Sequence, residues 1–175
     1  MSGGLPSFRY HPDPVATGSV VRSDAACVVC GEARGFVYDG PVFSREHDDE
    51  PICPWCIADG AAHERYRAYF TDSEGFDVPR EVLDEVMQRT PGFSGWQQEH
   101  WLAHCGDAAA FLGRAGTDEL PPDAVESIRE EVAEYGWPAD DVEEYVESLD
   151  AEGSPTAYLF RCLHCGRHLA YSDMD

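Results

Sequence analysis

Six of the seven cysteines in this chain of 175 residues fall into pairs with two residues between them. The pairs are Cys27 with Cys30, Cys53 with Cys56, and Cys162 with Cys165. A CxxC turn places two thiolates on one side of a tight backbone loop, so two such turns supply the four ligands of a tetrahedral zinc ion. The first two pairs, separated by residues 31–52, come close to the zinc-finger pattern. They therefore predict one closed structural zinc site.

The third pair, Cys162 and Cys165, has no fourth pair to complete it. Cys105 and His104 are the first candidates for the missing ligands, and His100, His164 and His168 stand behind them. A second zinc site of the type Cys162, Cys165, Cys105 and His104 is one interpretation. The other is a hairpin with two reduced cysteines and a packed Cys105. If the second site keeps an open position, a zinc-bound water would make hydrolytic catalysis feasible.

Two other sets of residues could support thiol redox chemistry or acid–base chemistry. Cys53-Pro-Trp-Cys56 at a helix start is similar to a thioredoxin-like redox motif, but the residues before it are acidic and do not form the buried strand that such a motif requires. Asp59, His63 and Glu64 could be read as an acid and base, although a solvated helix face explains them more simply. No HExxH motif, P-loop, GxSxG motif or Gly-rich dinucleotide loop is present. The sequence therefore names no catalytic residue.

The formal net charge is -22, with 34 acidic residues against 12 basic residues, all of them arginine. Such a field repels phosphate backbones and attracts basic proteins, so we expect no direct nucleic-acid binding and a basic protein as the partner class. The same charge also fits a surface that serves solubility alone. Without an apolar leader or a run of about 18 apolar residues, the expected location is the cytoplasm, where cysteines bind metal more often than they form disulfides.

The elements that position the first two pairs resemble a treble clef. Residues 1–22 read as an ordered, Pro- and Gly-rich arm, and the first pair with Gly31 reads as a zinc knuckle. Residues 35–38 and 42–43 predict a hairpin around a turn at residues 39–41. Cys53 then opens a helix, with Pro54 suited to its first turn, and Gly60 shortens or kinks that helix.

Helical patterns dominate the middle of the chain. Apolar spacing predicts a helix from about Pro79 that stops before Thr90, a short helix over about residues 97–105, and a turn over residues 107–112. Two amphipathic helices follow within residues 117–152, a segment that holds fourteen carboxylates and only Arg129 as a counter-charge. Residues 156–171 read as two strands joined by the third CxxC turn.

The expected fold class is therefore α+β, with a treble-clef-like zinc module, a helical middle region and a C-terminal zinc-knuckle β-hairpin. The expected divisions are residues 1–72 for the arm and zinc module, 73–153 for the helical, strongly acidic region, and 154–175 for the knuckle hairpin. The hairpin is expected to pack back onto a single body.

Several stretches of the chain resemble the CbrC-type colicin-tolerance family of bacterial proteins. They are LPSFRYHPDP at residues 5–14, CPWCIADG at 53–60, RTPGFSGWQQE at 89–99, HCGD at 104–107 and YLFRCLHCG at 158–166. The resemblance runs nearly end to end, but it implies little chemistry, since the family is essentially uncharacterised biochemically. Together with the net charge of -22, it favours a non-catalytic tolerance or stress-response protein with an acidic surface for a basic partner. The acidic segment at 117–152 has no place in the family pattern.

Overall fold

The computed structural model describes residues 4–175, which form a mixed α+β fold with small antiparallel sheets. The strands are β1 (Val20–Arg22), β2 (Phe36–Tyr38), β3 (Ala103–His104), β4 (Asp107–Ala108), β5 (Ala110–Ala115), β6 (Thr156–Arg161) and β7 (His168–Asp173). The helices are α1 (Pro54–Ala58), α2 (Ala61–Tyr66), α3 (Arg80–Arg89), α4 (Pro122–Ala133) and α5 (Ala139–Glu147). A 3-10 turn at Thr117–Glu119 precedes α4.

The N-terminal arm contains no helix between residue 4 and β1, as predicted; its first three residues lie outside the described residues. His11 is fully buried in this arm, with Nδ1 2.7 Å from the carbonyl of Pro91 and Nε2 2.7 Å from Oγ1 of Thr17. Because a carbonyl only accepts, the proton lies on Nδ1 and the Thr17 hydroxyl donates to Nε2. Burial lowers the pKa of His11 to about 4, so the ring stays neutral near pH 7.

The hairpin predicted between residues 35 and 43 is wrong. Strand β2 pairs with β1 instead, and Phe43 forms an isolated bridge with Tyr69. The reason lies in the turn, where the Tyr38 hydroxyl donates to the Pro41 carbonyl at 2.9 Å and the Tyr38 ring fills the space beside Gly40. Pro41 also lacks the N–H that a ladder needs.

The first helices begin and end at the proline and glycine residues that the sequence indicated. Pro54 occupies the first turn of α1, and the chain leaves α1 through Gly60, whose φ of 83° is a left-handed conformation that glycine adopts without strain. Helix α3 ends before Thr90 as predicted.

The helix predicted over residues 97–105 is also wrong. Residues 97–102 have no regular structure and are fixed by side chains of β7: Asp173 accepts from the N–H of Gln97 at 3.0 Å, and the Tyr171 hydroxyl receives the N–H of His100 at 3.1 Å. Strands β3 and β4 then form a small hairpin, and residues 107–112, where a turn was expected, belong mainly to β4 and β5. The segment at 73–153 is therefore not wholly helical.

The C-terminal hairpin is confirmed and belongs to a larger sheet. β6 and β7 pair antiparallel from Thr156 with Asp173 to Arg161 with His168, and β5 adds a third strand on the other side of β6. A register shift between Phe111 and Gly113 bends β5.

Helices α4 and α5 pack beside this sheet, with α4 against β7. Their apolar stripes, which were predicted from the sequence, meet in a cluster with the inner side chains of the sheet. The buried members from the helices are Ala124, Ile128, Val132, Val142 and Val146.

Two more apolar clusters lie elsewhere in the described chain. One surrounds the first cysteine group and includes Phe8, Ile57 and Phe70, and the other joins α3 to the sheet around Phe93 and Phe111. The arm enters both, because Phe8 belongs to the first and Tyr10 to the second. Among residues 4–175, none of the helices is both long enough and apolar enough to pass through a membrane.

Candidate metal centres

The first group consists of Cys27, Cys30, Cys53 and Cys56, whose sulfur atoms all lie within 4.8 Å of one another. The knuckle turn brings Cys27 and Cys30 together: Gly31, at φ 76°, donates its N–H to the carbonyl of Cys27 at 2.7 Å. The other pair comes from the start of α1, since Cys53 is its N-cap and Cys56 lies in its first turn. This is the arrangement that the sequence predicted for the two pairs.

The spacing in this group fits a tetrahedral thiolate site. A zinc ion at about 2.3 Å from each sulfur would separate the sulfurs by about 3.8 Å, and Cys30 Sγ lies 3.9 Å from Cys53 Sγ. The backbone N–H of Cys53 also points at Cys27 Sγ, at 3.2 Å. Three of the four cysteines are buried, and only Cys30 is exposed.

The electrostatics of the first group favour a bound cation. Burial raises the pKa of Cys53 to about 11 and also raises that of Cys56, where the neighbouring Cys53 adds to the effect. Burial acts in the same direction on Cys27, but backbone N–H groups of Cys30 and Cys53 outweigh it and lower its pKa. Four thiolates at this spacing repel one another, and a divalent cation would offset that repulsion and deprotonate the remaining thiols.

The second group consists of His104, Cys105, Cys162 and Cys165, with ligand atoms again within 4.8 Å of one another. His104 Nδ1 lies 3.2 Å from Cys105 Sγ and 3.4 Å from Cys165 Sγ. Only Cys162 is buried, His104 is half-buried, and the remaining two cysteines are exposed. The residues that the sequence proposed for a second site are thus brought together.

The β3–β4 hairpin explains how neighbouring residues His104 and Cys105 both face one point. His104 pairs with Asp107, so Cys105 and Gly106 form a two-residue loop, with φ of 54° and 71°. Positive φ at both loop positions is typical of a tight hairpin turn that matches the strand twist. This hairpin turn stands where the sequence predicted the end of a helix over about residues 97–105.

In the second group, one cysteine has a pKa low enough to favour its thiolate form near pH 7. Burial opposes ionisation of Cys162, but the backbone N–H groups of Cys165 and His164 point at its sulfur and lower its pKa to about 6. The thiols of Cys162 and Cys165 raise the pKa of Cys105 to about 11. A divalent cation would stabilise both of these sulfurs as thiolates, as in the first group.

Asp107 connects the second group to the N-terminal arm through hydrogen bonds. Its buried carboxylate accepts hydrogen bonds from Arg9 at 2.7 Å, from the Tyr10 hydroxyl at 2.8 Å and from Nε2 of His164 at 2.8 Å. These donors outweigh the effect of burial and hold the pKa of Asp107 below its usual value. His164 lies between the two cysteines of the third pair, so Asp107 fixes that turn against the arm.

The sequence interpretation missed Asp107. It stands directly after the Cys105–Gly106 loop, but nothing in the sequence marks it as a partner of the third CxxC turn. Its donors come from the arm and from the C-terminal turn, so no local pattern pairs them.

The remaining candidate histidines lie outside both groups. His164 is bound to Asp107, His168 pairs with Asp123 at 3.4 Å, and the His100 ring packs edge-on against Tyr171.

The residues considered for acid–base chemistry have structural partners. Asp59 accepts from the N–H of Ala61 at the start of α2, and His63 contacts the carbonyl of Ala68 at 3.0 Å. Glu64 is exposed. They do not converge on either cysteine group.

These features define the chain as a mixed α+β protein with two groups of four cysteine or histidine side chains that could each hold a metal ion. Residues 5–174 match the model of an uncharacterised protein family, UPF0167, and the chain belongs to that family.

Relatives in other bacteria share nearly the whole length. A UPF0167 protein of Mycobacterium bovis is 56% identical over 174 residues, which cover 97% of this chain and 93% of that protein. A UPF0167 protein of Pseudomonas aeruginosa is 44% identical over 180 residues, which cover 100% of this chain and 99% of that protein. No solved structure matches the chain.

Proposed function

We propose that this protein binds two structural zinc ions and acts without catalysis, by presenting an acidic surface to a basic protein partner. The observation that carries the proposal is that each group offers four protein ligands within one coordination sphere. A four-ligand tetrahedral site leaves no position for a reactive water. Zinc is the ion that best suits one set of four thiolates and one set of three thiolates with an imidazole.

The surroundings of the two groups support a structural role. Two surface grooves of about 570 and 560 Å³ are lined by residues of the arm, β5 and the segments that flank α4 and α5, and by none of the eight ligands. A metal-dependent hydrolase needs its substrate cleft at the metal. The redox alternative at Cys53 and Cys56 is weakened because both sulfurs belong to a four-sulfur group.

We also interpret the first group as a variant treble clef. A knuckle followed later by a CxxC pair at a helix start supports this interpretation. The difference is that β2 pairs with the preceding strand, β1, and not with residues 42–43. The resemblance to the CbrC-type family supports a tolerance or stress-response role. The partner would be a basic protein such as a toxin, attracted by the charge of -22.

Metal analysis of the purified protein tests the zinc assignment. We expect two zinc ions per chain, one fewer in Cys56→Ser and in Cys165→Ser, and one fewer or a weakly held one in His104→Asn. His100→Asn is the matched control, because His100 is exposed and lies outside the second group; it should keep both ions.

Three results would overturn parts of this proposal. A protein that folds with no metal would remove the zinc assignment. A second site with three protein ligands and a bound water, seen by X-ray absorption, would favour the hydrolase instead. Cys53 and Cys56 that react with an alkylating reagent before any chelator is added would favour the redox alternative.

The partner is tested by affinity capture from cells at low and at physiological salt. We expect basic proteins to be recovered and to be lost as salt rises, since screening weakens exposed charge pairs over about 8 Å at physiological ionic strength. Recovery of the same proteins by a variant with its exposed carboxylates at 134, 140 and 144 neutralised would indicate that the acidic helices do not contribute.

A further inference from the structure

The turn between α4 and α5 holds two large aromatic side chains out in solvent. Tyr135 is 66% exposed and Trp137 is 41% exposed. The Trp137 ring lies 6.3 Å from that of Tyr135 and meets the ring of Tyr145 edge-on at 5.5 Å. We call these three residues the aromatic tip. Burying such side chains would stabilise the fold, so their shared exposure marks an interaction surface.

The tip is held in place before any partner arrives. Gly136, at φ 76°, ends the helical backbone and donates its N–H to the carbonyl of Ala133 at 3.0 Å. Pro138, directly after Trp137, is the N-cap of α5. On the other side, the Tyr145 hydroxyl is bound to Ser172 Oγ at 3.0 Å. A preformed surface loses little conformational entropy on binding.

The charge around the tip selects the partner. Glu134, Asp140, Asp141 and Glu144 flank the aromatic residues and are exposed, and no ion pair involves them within residues 4–175. The only basic residue of the segment 117–152, Arg129, is already paired with Glu143 at 2.7 Å and with Glu126 at 3.5 Å. An anionic ligand would be repelled, and a purely apolar partner would leave these carboxylates desolvated.

We propose that the aromatic tip binds an arginine side chain of a basic protein segment, with the guanidinium over Trp137 or Tyr135 and the flanking carboxylates around it. A planar, weakly hydrated guanidinium stacks on an aromatic face and also pairs with carboxylates. This inference rests on the proposed basic partner and names the side chain and surface that recognise it.

The test is fluorescence anisotropy with a labelled short peptide of alternating arginine and serine, at low salt. We expect Tyr135→Ala with Trp137→Ala to weaken binding about tenfold, since desolvated cation–π contacts reach this strength. Phe43→Ala is the control, because Phe43 is an exposed aromatic residue (36%) outside the α4–α5 segment that holds the aromatic tip; it should change affinity less than about twofold. Circular dichroism and metal content check that each variant is folded.

Charge placement is tested with two matched triple variants. Glu134→Gln, Asp140→Asn and Glu144→Gln neutralise the tip, whereas Asp48→Asn, Asp49→Asn and Glu50→Gln remove the same charge from an exposed loop. We expect a larger loss from the first set, and a peptide with citrulline in place of arginine should not bind.

The outcomes separate this inference from the function on which it rests. A peptide that binds the wild type but is indifferent to the aromatic changes, or that loses equal affinity with either triple variant, overturns the tip and leaves a general acidic surface. Equal binding of the citrulline peptide also overturns it. No arginine-peptide binding at low salt counts against both proposals.

Discussion

At the residue scale, Asp107 connects three parts of the chain that are distant in sequence. Its carboxylate is only 8% exposed and receives charged or polar donors from the arm and from the turn between β6 and β7. Hydrogen bonds to a buried charged acceptor contribute more than neutral ones, and their loss leaves donors unsatisfied. We therefore expect Asp107 to act on both stability and the second metal group.

Asp107→Asn should lower the free energy of unfolding by about 2 kcal/mol and weaken zinc at the second group by about tenfold, because the amide cannot accept from all of its present donors. Chemical denaturation and competition with a fluorescent chelator measure the two effects. Asp118→Asn, an exposed residue of the 3-10 turn, is the control. Unchanged zinc affinity in Asp107→Asn would show that the contact with His164 does not position the turn.

The two ligand groups differ in exposure. The first buries three of its four cysteines, and the second buries only Cys162. Ligand exchange needs access to the metal, so the second group should lose its ion first. On addition of a chelator, we expect two phases of zinc release, with the faster one absent in Cys165→Ser and retained in Cys56→Ser. A single phase in the wild type would contradict this.

The eight candidate ligands were predictable from the sequence. CxxC spacing is a local signal, and Cys105 is the one cysteine outside the three pairs, with His104 directly before it. Asp107 was not predictable, because its donors Arg9 and Tyr10 lie nearly a hundred residues away and only the fold brings them together.

At the element scale, α4 covers the β7 edge of the three-stranded sheet. Strand β7 leaves N–H groups without a strand partner, and two side chains of α4 accept them: Asp123 binds the N–H of His168 at 2.8 Å, and Glu131 binds that of Ser172 at 3.2 Å. An uncovered edge strand is a template for aggregation. Part of the acidic segment therefore has a structural task.

Glu131 should make stability depend on pH. Burial raises its pKa to about 7, while the N–H of Ser172 acts in the opposite direction. The folded state binds the Glu131 proton more tightly than the unfolded chain does. The resulting contribution to the free energy of unfolding is therefore fully present below the pKa of the unfolded chain and is lost as pH rises towards 7. Glu131→Gln cannot ionise, so between acidic and neutral pH its free energy of unfolding should gain about 3 kcal/mol over that of the wild type, at roughly 1.4 kcal/mol per pKa unit.

Urea denaturation across this pH range measures the effect. Glu130→Gln changes an exposed residue on the same helix and should give a curve parallel to that of the wild type. A constant difference between Glu131→Gln and the wild type at all pH values would refute the assignment.

Helices α3, α4 and α5 were predictable because each shows an apolar stripe at helical spacing between clear boundaries. The segment at 97–105 was not. Its His100 and His104 match a helical spacing, but its backbone is bound by Asp173 and Tyr171 of a strand that lies far along the chain. Tertiary contacts overrode the local pattern there.

At the scale of the whole molecule, the net charge of -22 opposes the compact state. Fourteen carboxylates lie within residues 117–152, where only Arg129 offsets them. Self-repulsion of this kind weakens as salt screens it. The midpoint of thermal unfolding should therefore rise with sodium chloride concentration, as followed by circular dichroism.

A smaller salt dependence is expected for the triple variant Glu134→Gln, Asp140→Asn and Glu144→Gln. A midpoint that falls with salt would contradict this. It would show that the stabilisation from arginine ion pairs exceeds the destabilisation from repulsion among the carboxylates.

The arm that carries Phe8, Tyr10 and His11 runs between two apolar clusters and holds the buried carboxylate of the second ligand group. Removing it would open both interiors at once and leave Asp107 without two of its donors. The two ligand groups, which are formed near opposite ends of the chain, thus both depend on the position of this arm. A fragment cut after α2 would keep a complete set of four sulfurs and still lack the rest of the body against which its first residues fold.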